Sequence, residues 1–153
     1  MLELGLSLSA SVLQPRGNGH GTELITNSDF SDGLAGWTVA GNVTENAGEV
    51  TFIGDVTQNY VAQQLTGLTV GNSLRLEVLA DASESDDFGF VWGPTAGSNA
   101  YGSENTEWRI DDPVRFIDIT HSTMWVSFGN GGVQGDPRAI GFSAREYPSP
   151  LAS

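Results

Sequence analysis

Cysteine is absent from the 153 residues, so the fold carries no disulfide and no thiolate chemistry. Positive charge is nearly absent too. Six basic residues stand against 19 acidic ones, a formal net charge of −13. Such a surface repels phosphate backbones and anionic lipid, so no nucleic acid partner is expected. No run approaches the ~20 apolar residues of a membrane span, and no membrane insertion is expected. No window sustains a helical apolar period either, which leaves room for a helical turn or two. What the chain does have is glycine, 20 in all, with abundant Thr, Ser and Val. With lysine scarce, that composition fits an all-β protein rich in turns, and one domain of this length can bury a real core.

Convergent catalytic chemistry is also missing. His20 and His121 fall in a linker and a strand-joining turn, without the spaced partners a metal site needs. Serine is plentiful, yet no G-x-S-x-G elbow exists. Acids cluster at Ser83–Asp87, Glu104–Trp108 and Asp111-Asp112, as a glycosidase pair would require. They lie in polar stretches where nothing apolar would raise a pKa, so they read as solvated surface acids. The expectation is a non-enzymatic protein without cofactor or metal.

Four segments emerge. Residues 1–13 carry Leu2, Leu4, Leu6 and Leu8 at a spacing of two, a strand with one apolar edge. This start has Glu3 where a secretion signal would be cationic, so it reads as a retained anchoring arm. Residues 14–23 form a Gly/Pro linker, 24–147 the globular body and 148–153 a tail with two prolines. Within the body, Val50 and Phe52 share one strand face, and Leu74, Leu76 and Val78 alternate with Arg75, Glu77 and Leu79. Phe88, Phe90 and Trp92 share a face in the next strand. Residues 115–120 and 124–128 read as a strand pair joined by Thr120–Thr123, residues 129–132 as a loop, and Ala139–Glu146 as the closing strand.

The most informative stretch is Leu24-Ile25-Thr26-Asn27-Ser28-Asp29-Phe30-Ser31-Asp32-Gly33-Leu34-Ala35-Gly36-Trp37-Thr38. It reads as a short strand, a turn and a loop crossing the end of a sheet. Gly33 and Gly36 would take positive φ while Phe30, Leu34 and Trp37 plug the end of a sandwich. The stretch resembles the opening of galactose-binding-like β-sandwiches, in particular carbohydrate-binding modules that begin "N-G-D-F…G…W". Val61–Gly71 with Leu74–Val78 is similar to a strand pair of that family, and Trp125–Asn130 with Ile140–Glu146 to its ending. The resemblance spans residues 24–147 and implies a two-sheet jelly-roll sandwich behind an extended N-terminal arm. Many members hold a structural calcium through an acid in the last strand. Here the matching place is Ile140-Gly141-Phe142, with no carboxylate. Asp29 and Asp136 remain, but calcium takes about six to eight oxygens.

Sugar recognition uses flat aromatic platforms flanked by polar side chains. Trp92, Tyr101, Trp108, Arg109 and Trp125 are the candidate glycan-binding residues, and Trp125 alternates out of phase with Met124, Val126 and Phe128. The other use of such tryptophans is to cover sheet edges, fill the core or form a subunit interface.

The family also supplies domains of bacteriophage head and tail appendages. The resemblance and the arm together imply a virion protein, a head-fibre, tail-fibre or decoration subunit. Its expected partners are other virion proteins, further copies of itself (a trimer by analogy) and a cell-surface glycan, with Leu2, Leu4, Leu6 and Leu8 as the anchor. The alternative is a free-standing carbohydrate-binding module.

Overall fold

The computed structural model describes residues 21–53, 59–80, 89–105, 114–130 and 138–148. These form ten strands and no helix: β1 (Thr38–Ala40), β2 (Val43–Asn46), β3 (Glu49–Phe52), β4 (Asn59–Thr66), β5 (Ser73–Ala80), β6 (Gly89–Gly93), β7 (Gly102–Asn105), β8 (Val114–Asp118), β9 (Thr123–Asn130) and β10 (Arg138–Tyr147). They make two antiparallel five-stranded sheets, ordered β1-β4-β9-β6-β7 and β2-β3-β10-β5-β8. The expected all-β, two-sheet sandwich is what the chain folds into. The anchoring residues Leu2, Leu4, Leu6 and Leu8 lie outside the described residues.

Strand periodicity decides what each sheet buries. Val50 and Phe52 of β3, Leu74, Leu76 and Val78 of β5, and Met124, Val126 and Phe128 of β9 all point into the sandwich and are buried. Between β2 and β3 a two-residue turn places Ala47 at φ 53° and Gly48 at φ 87°. Positive φ at both central residues matches the right-handed twist of the strands they join.

Two expectations need correcting. Residues 115–120 and 124–128 do not pair with each other. β8 pairs with β5 in the second sheet, whereas β9 lies between β4 and β6 in the first. The turn after β8 therefore carries the chain from one sheet to the other. The Val61–Gly71 and Leu74–Val78 segments are separated in the same way, β4 in one sheet and β5 in the other. Alternation reports which face a strand buries, and it is silent on which strand lies beside it. Residues 129 and 130 also continue β9, past the loop boundary read from Gly129.

The opening stretch closes one end of the sandwich as its sequence suggests. Gly33 and Gly36 adopt φ of 60° and 84°, and Asn27 and Phe30 join them at 52° and 56°. These left-handed residues fold the loop so that Phe30 (1 % exposed) and Trp37 (8 %) enter the core, with Leu34 packed against it. Trp37 lies 5.3 Å from Phe30 and 6.1 Å from both Phe128 and Phe142, ring centre to ring centre. Its Nε1–H donates to the Asn27 carbonyl at 3.1 Å, so the indole leaves no polar atom stranded. The last residues of the segment read as linker are also held by the fold. Glu23 bridges to Arg145 of β10, and its carboxylate accepts from the Ala144 amide at 2.9 Å.

Trp37→Ala is expected to cost about 3–5 kcal/mol, the range for a buried aromatic cut to alanine. A urea denaturation series measures it, and a loss within experimental error would place this ring outside the core.

Candidate functional site

The outer face of the first sheet is set by the same alternation that builds the core. Tyr60, Gln64 and Thr66 of β4 point away from buried Val61 and Leu65. On β9, Thr123, Trp125 and Ser127 point away from Met124, Val126 and Phe128. Cross-strand register aligns these positions in rows. Gln64 pairs with Trp125, which pairs with Gly93 of β6. In the next row Thr38, Ala62, Ser127, Val91 and Ser103 span all five strands. Every outward position of β1, β4, β9 and β6 is uncharged, in a chain of net charge −13. The outward face of the second sheet is different. Arg75 pairs there with Glu77 at 2.7 Å, Arg138 with Glu49 at 3.3 Å, and Arg145 with Glu23 at 3.4 Å.

The β6–β7 loop, residues 94–101, folds back over this uncharged face. The Gly97 amide donates to Ser127 Oγ at 2.8 Å, and Tyr60 Oη reaches the Ala96 carbonyl at 3.4 Å. Beneath the loop, outward-facing Ala62 and Ser127 are 0 % and 2 % exposed. Its return leg is fixed by the Tyr101 amide, which donates to the Trp92 carbonyl at 3.0 Å. The Tyr101 ring stacks on His121 with centres 3.7 Å apart and planes 6° from parallel.

The structure thus separates the candidate aromatics. Trp125 lies half-buried on the outer face, opposite Met124, Val126 and Phe128 as its alternation predicts. Trp92 faces the other way, aligned with Val126 and packed against the core over Gly102, where an added Cβ would lie 2.4 Å from the indole. Tyr101 packs against the core at the end of the sandwich and is engaged by His121. Trp108 and Arg109 lie outside the described residues. Sequence reasoning overlooked Tyr60 and Gln64, although their alternation with Val61, Gln63 and Leu65 was a readable signal.

The opening loop, where a cation would be sought, is organised by an amide. Asn27 Nδ2 donates to the Gly33 and Ala35 carbonyls at 2.9 and 3.0 Å, while Asn27 Oδ1 accepts from the Asp32 amide at 3.0 Å. Carbonyls that could face a cation therefore face a donor. The Ser31 hydroxyl and amide donate to Asp29, and these bonds hold its carboxyl below the usual value. No group of three His, Asp or Glu side chains suited to a metal occurs among the described residues.

Gly141, at the place where the family commonly has a carboxylate, lies against this loop. A Cβ there would meet the Ser28 carbonyl oxygen at 2.7 Å, the same oxygen that accepts from the Phe142 amide at 2.9 Å. The loop and β10 approach too closely for a side chain.

No protein-family model matches the chain, and no curated protein matches it. TmCBM61, solved in complex with β-1,4-galactotriose, is similar over 80 % of this chain and 97 % of its own, with a TM-score of 0.53 at 14 % identity. The second N-terminal cellulose-binding domain of Cellulomonas fimi β-1,4-glucanase C is similar over 83 % and 95 %, with a TM-score of 0.57 at 16 % identity. The chain has the β-sandwich fold of carbohydrate-binding modules. A third likeness is to the enzymatically active domain of bacteriophage CBA120 tailspike protein 4, over 81 % of this chain but 21 % of that one, with a TM-score of 0.53 at 11 % identity.

Removing the Asn27 amide should loosen the opening loop of this carbohydrate-binding-module fold. Asn27→Ala is expected to lose about 0.5–1.5 kcal/mol, the net worth of hydrogen bonds whose partners can turn to water. The wild-type melting temperature is expected to be the same in calcium and in chelator; a drop of several degrees on chelation would show a bound cation.

Proposed function

We infer that the protein is a non-enzymatic carbohydrate-binding module that holds a neutral glycan on the outer face of its first sheet. The observation that carries this reading is the uncharged face around Trp125. In a chain this acidic, a surface without charged side chains favours a neutral, hydroxyl-rich ligand over a peptide or a polyanion. Trp125 offers an indole surface for a sugar ring, and exposed Gln64 beside it offers a donor and an acceptor for hydroxyl groups. A neighbour of this fold was solved with β-1,4-galactotriose, which makes β-1,4-linked hexoses the first ligands to test. Trp92 and Tyr101, engaged with the core and with His121, shape the framework behind this face. Trp108 and Arg109 remain candidates for a ligand contact beyond it.

A second reading concerns where the module works, and the tailspike likeness together with the alternating Leu2, Leu4, Leu6 and Leu8 favours it. In it the arm anchors the protein to other virion proteins, in a homo-oligomer with three copies by analogy with fibres. The body then projects toward a host-surface glycan. Strand addition to a neighbouring sheet edge would bury the apolar side of such an arm.

A glycan array that includes β-1,4-galactan and β-1,4-glucan oligosaccharides, followed by titration calorimetry, tests the ligand class. Trp125→Ala is expected to weaken binding about 30-fold, the loss of a central aromatic contact. Trp92→Ala should lower stability and change affinity far less, because its side chain lies on the opposite face of the sheet from Trp125. Equal losses at the two positions would remove the outer face as the site.

Deleting residues 1–13 should leave a folded, glycan-binding body that sediments as a monomer. An unchanged oligomeric state in the truncated protein would refute the anchoring role.

A further inference from the structure

Trp125 occupies a corner of the outer face. Toward β6 its row ends at Gly93, and Ser98 lies on that glycine: a Cβ at position 93 would be 2.5 Å from Ser98 Oγ and 2.8 Å from its carbonyl oxygen. Along β9 the next outward residue is Ser127, and Gly97 covers it through the 2.8 Å hydrogen bond. The loop then continues over β4, where Gly97 rests on the ring of Tyr60. At φ 76°, a Cβ on Gly97 would fall 2.6 Å from Tyr60 Cε1 and 2.7 Å from Cζ. The Tyr60 ring is therefore occupied by the chain's own backbone at the place where a sugar would stack. On the other two sides the corner is open, with Gln64 and Thr123 both exposed.

The wall is braced along its length. Ser98 N–H donates to the Thr95 carbonyl at 3.1 Å and the Ala100 amide to Ser98 Oγ at 3.2 Å. The Tyr101–His121 stack ties its base to the turn between β8 and β9. Glycine at 93 and 97 lets backbone touch backbone and ring, so the loop is packed onto the sheet as part of the fold.

A saccharide whose ring lies on Trp125 meets Ser98 if it runs across the strands and Gly97 if it runs along β9. We propose that this corner receives the terminal residue of a glycan, so that the protein grips chain ends and rejects internal stretches; the proposal rests on the glycan-binding reading above. The β6–β7 loop is then the specificity-determining element, with Gly97 and Ser127 as positioning residues.

The probes are hexasaccharides of β-1,4-linked galactose and of β-1,4-linked glucose. Each is used free, with the reducing end coupled to a bulky tag, with the non-reducing end sealed as a 4,6-benzylidene acetal, and with both ends blocked. The full chain is expected to lose at least tenfold in affinity when one particular end is blocked, and little when the other is. Two variants act on the wall: residues 95–99 replaced by two glycines, and Ser127→Ala, which frees the Gly97 amide without shortening the loop. Either variant, checked for an intact thermal transition, should recover binding of the doubly blocked probes to within about threefold of the free ones. Wild-type protein that binds doubly blocked and free hexasaccharides equally would overturn the end-recognition proposal while leaving the glycan reading standing. Absence of binding to every form, by wild type and by both folded variants, would take down the glycan reading itself.

Discussion

Two stacked rings bridge the sheets at their middle strands. Phe128 of β9 and Phe142 of β10 stack with centres 4.4 Å apart and planes 22° from parallel. Each sits in the middle strand of its sheet, so the contact lies at the centre of the packing between them. Phe90 adds an edge at 5.1 Å from Phe128, and Phe52 another at 6.2 Å from Phe142. Phe30 and Trp37 then close the cluster from the opening loop. Aromatic pairs in these tilted and offset arrangements contribute about 0.5–1.5 kcal/mol each beyond the area they bury. Without disulfides, a sandwich of this size relies on such a centre for its geometry.

That centre also explains the elaborate opening loop. Bringing Phe30 and Trp37 into one cluster demands sharp reversals, and four left-handed residues between Asn27 and Trp37 supply them. Two of the four, Asn27 and Phe30, are not glycine. Asn tolerates this region through local hydrogen bonding, and Asn27 makes three such bonds to the loop it organises. Phe30 has no such compensation in its side chain, and its burial offsets the backbone cost. Buried Gln63 binds the start of the loop from the facing strand, accepting from the Thr26 amide at 3.0 Å and donating to the Thr26 carbonyl at 2.7 Å. The loop is thus held from both sheets, by Gln63 on β4 and by Phe142 on β10.

The sequence announced the fold class, the opening loop and the direction in which Trp125 points, because each depends on local pattern. Alternation assigns faces, and Gly33 and Gly36 mark where the chain must turn. Strand partnership was not legible, since a short Thr120–Thr123 link serves equally well within a sheet or between two. The inward orientation of Trp92 is equally local: a spacing of two puts it on the same face as Phe90, which is buried. The loop over the outer face left no such trace. Its glycines resemble those of any turn, and nothing local shows that Gly97 will rest on a ring 37 positions earlier in the chain.

The two outer faces show how one acidic chain divides its surface. Basic side chains are few, and Arg75, Arg138 and Arg145 are set against glutamates on or beside the second sheet. These half-buried pairs at the sheet surface contribute little to stability, about 0–1 kcal/mol each. Their consequence lies in placement, because ionic groups keep that face hydrated. The first sheet carries threonine, serine, glutamine and aromatic rings, groups that exchange water for sugar hydroxyls without stranding a charge. Covering part of that face with the β6–β7 loop leaves a smaller open surface with more walls. Fewer rings can stack on it, and each one that does is bounded on more sides. Under the proposed glycan reading, a platform reduced in this way trades the reach of an open groove for discrimination at a single ring, held at Trp125.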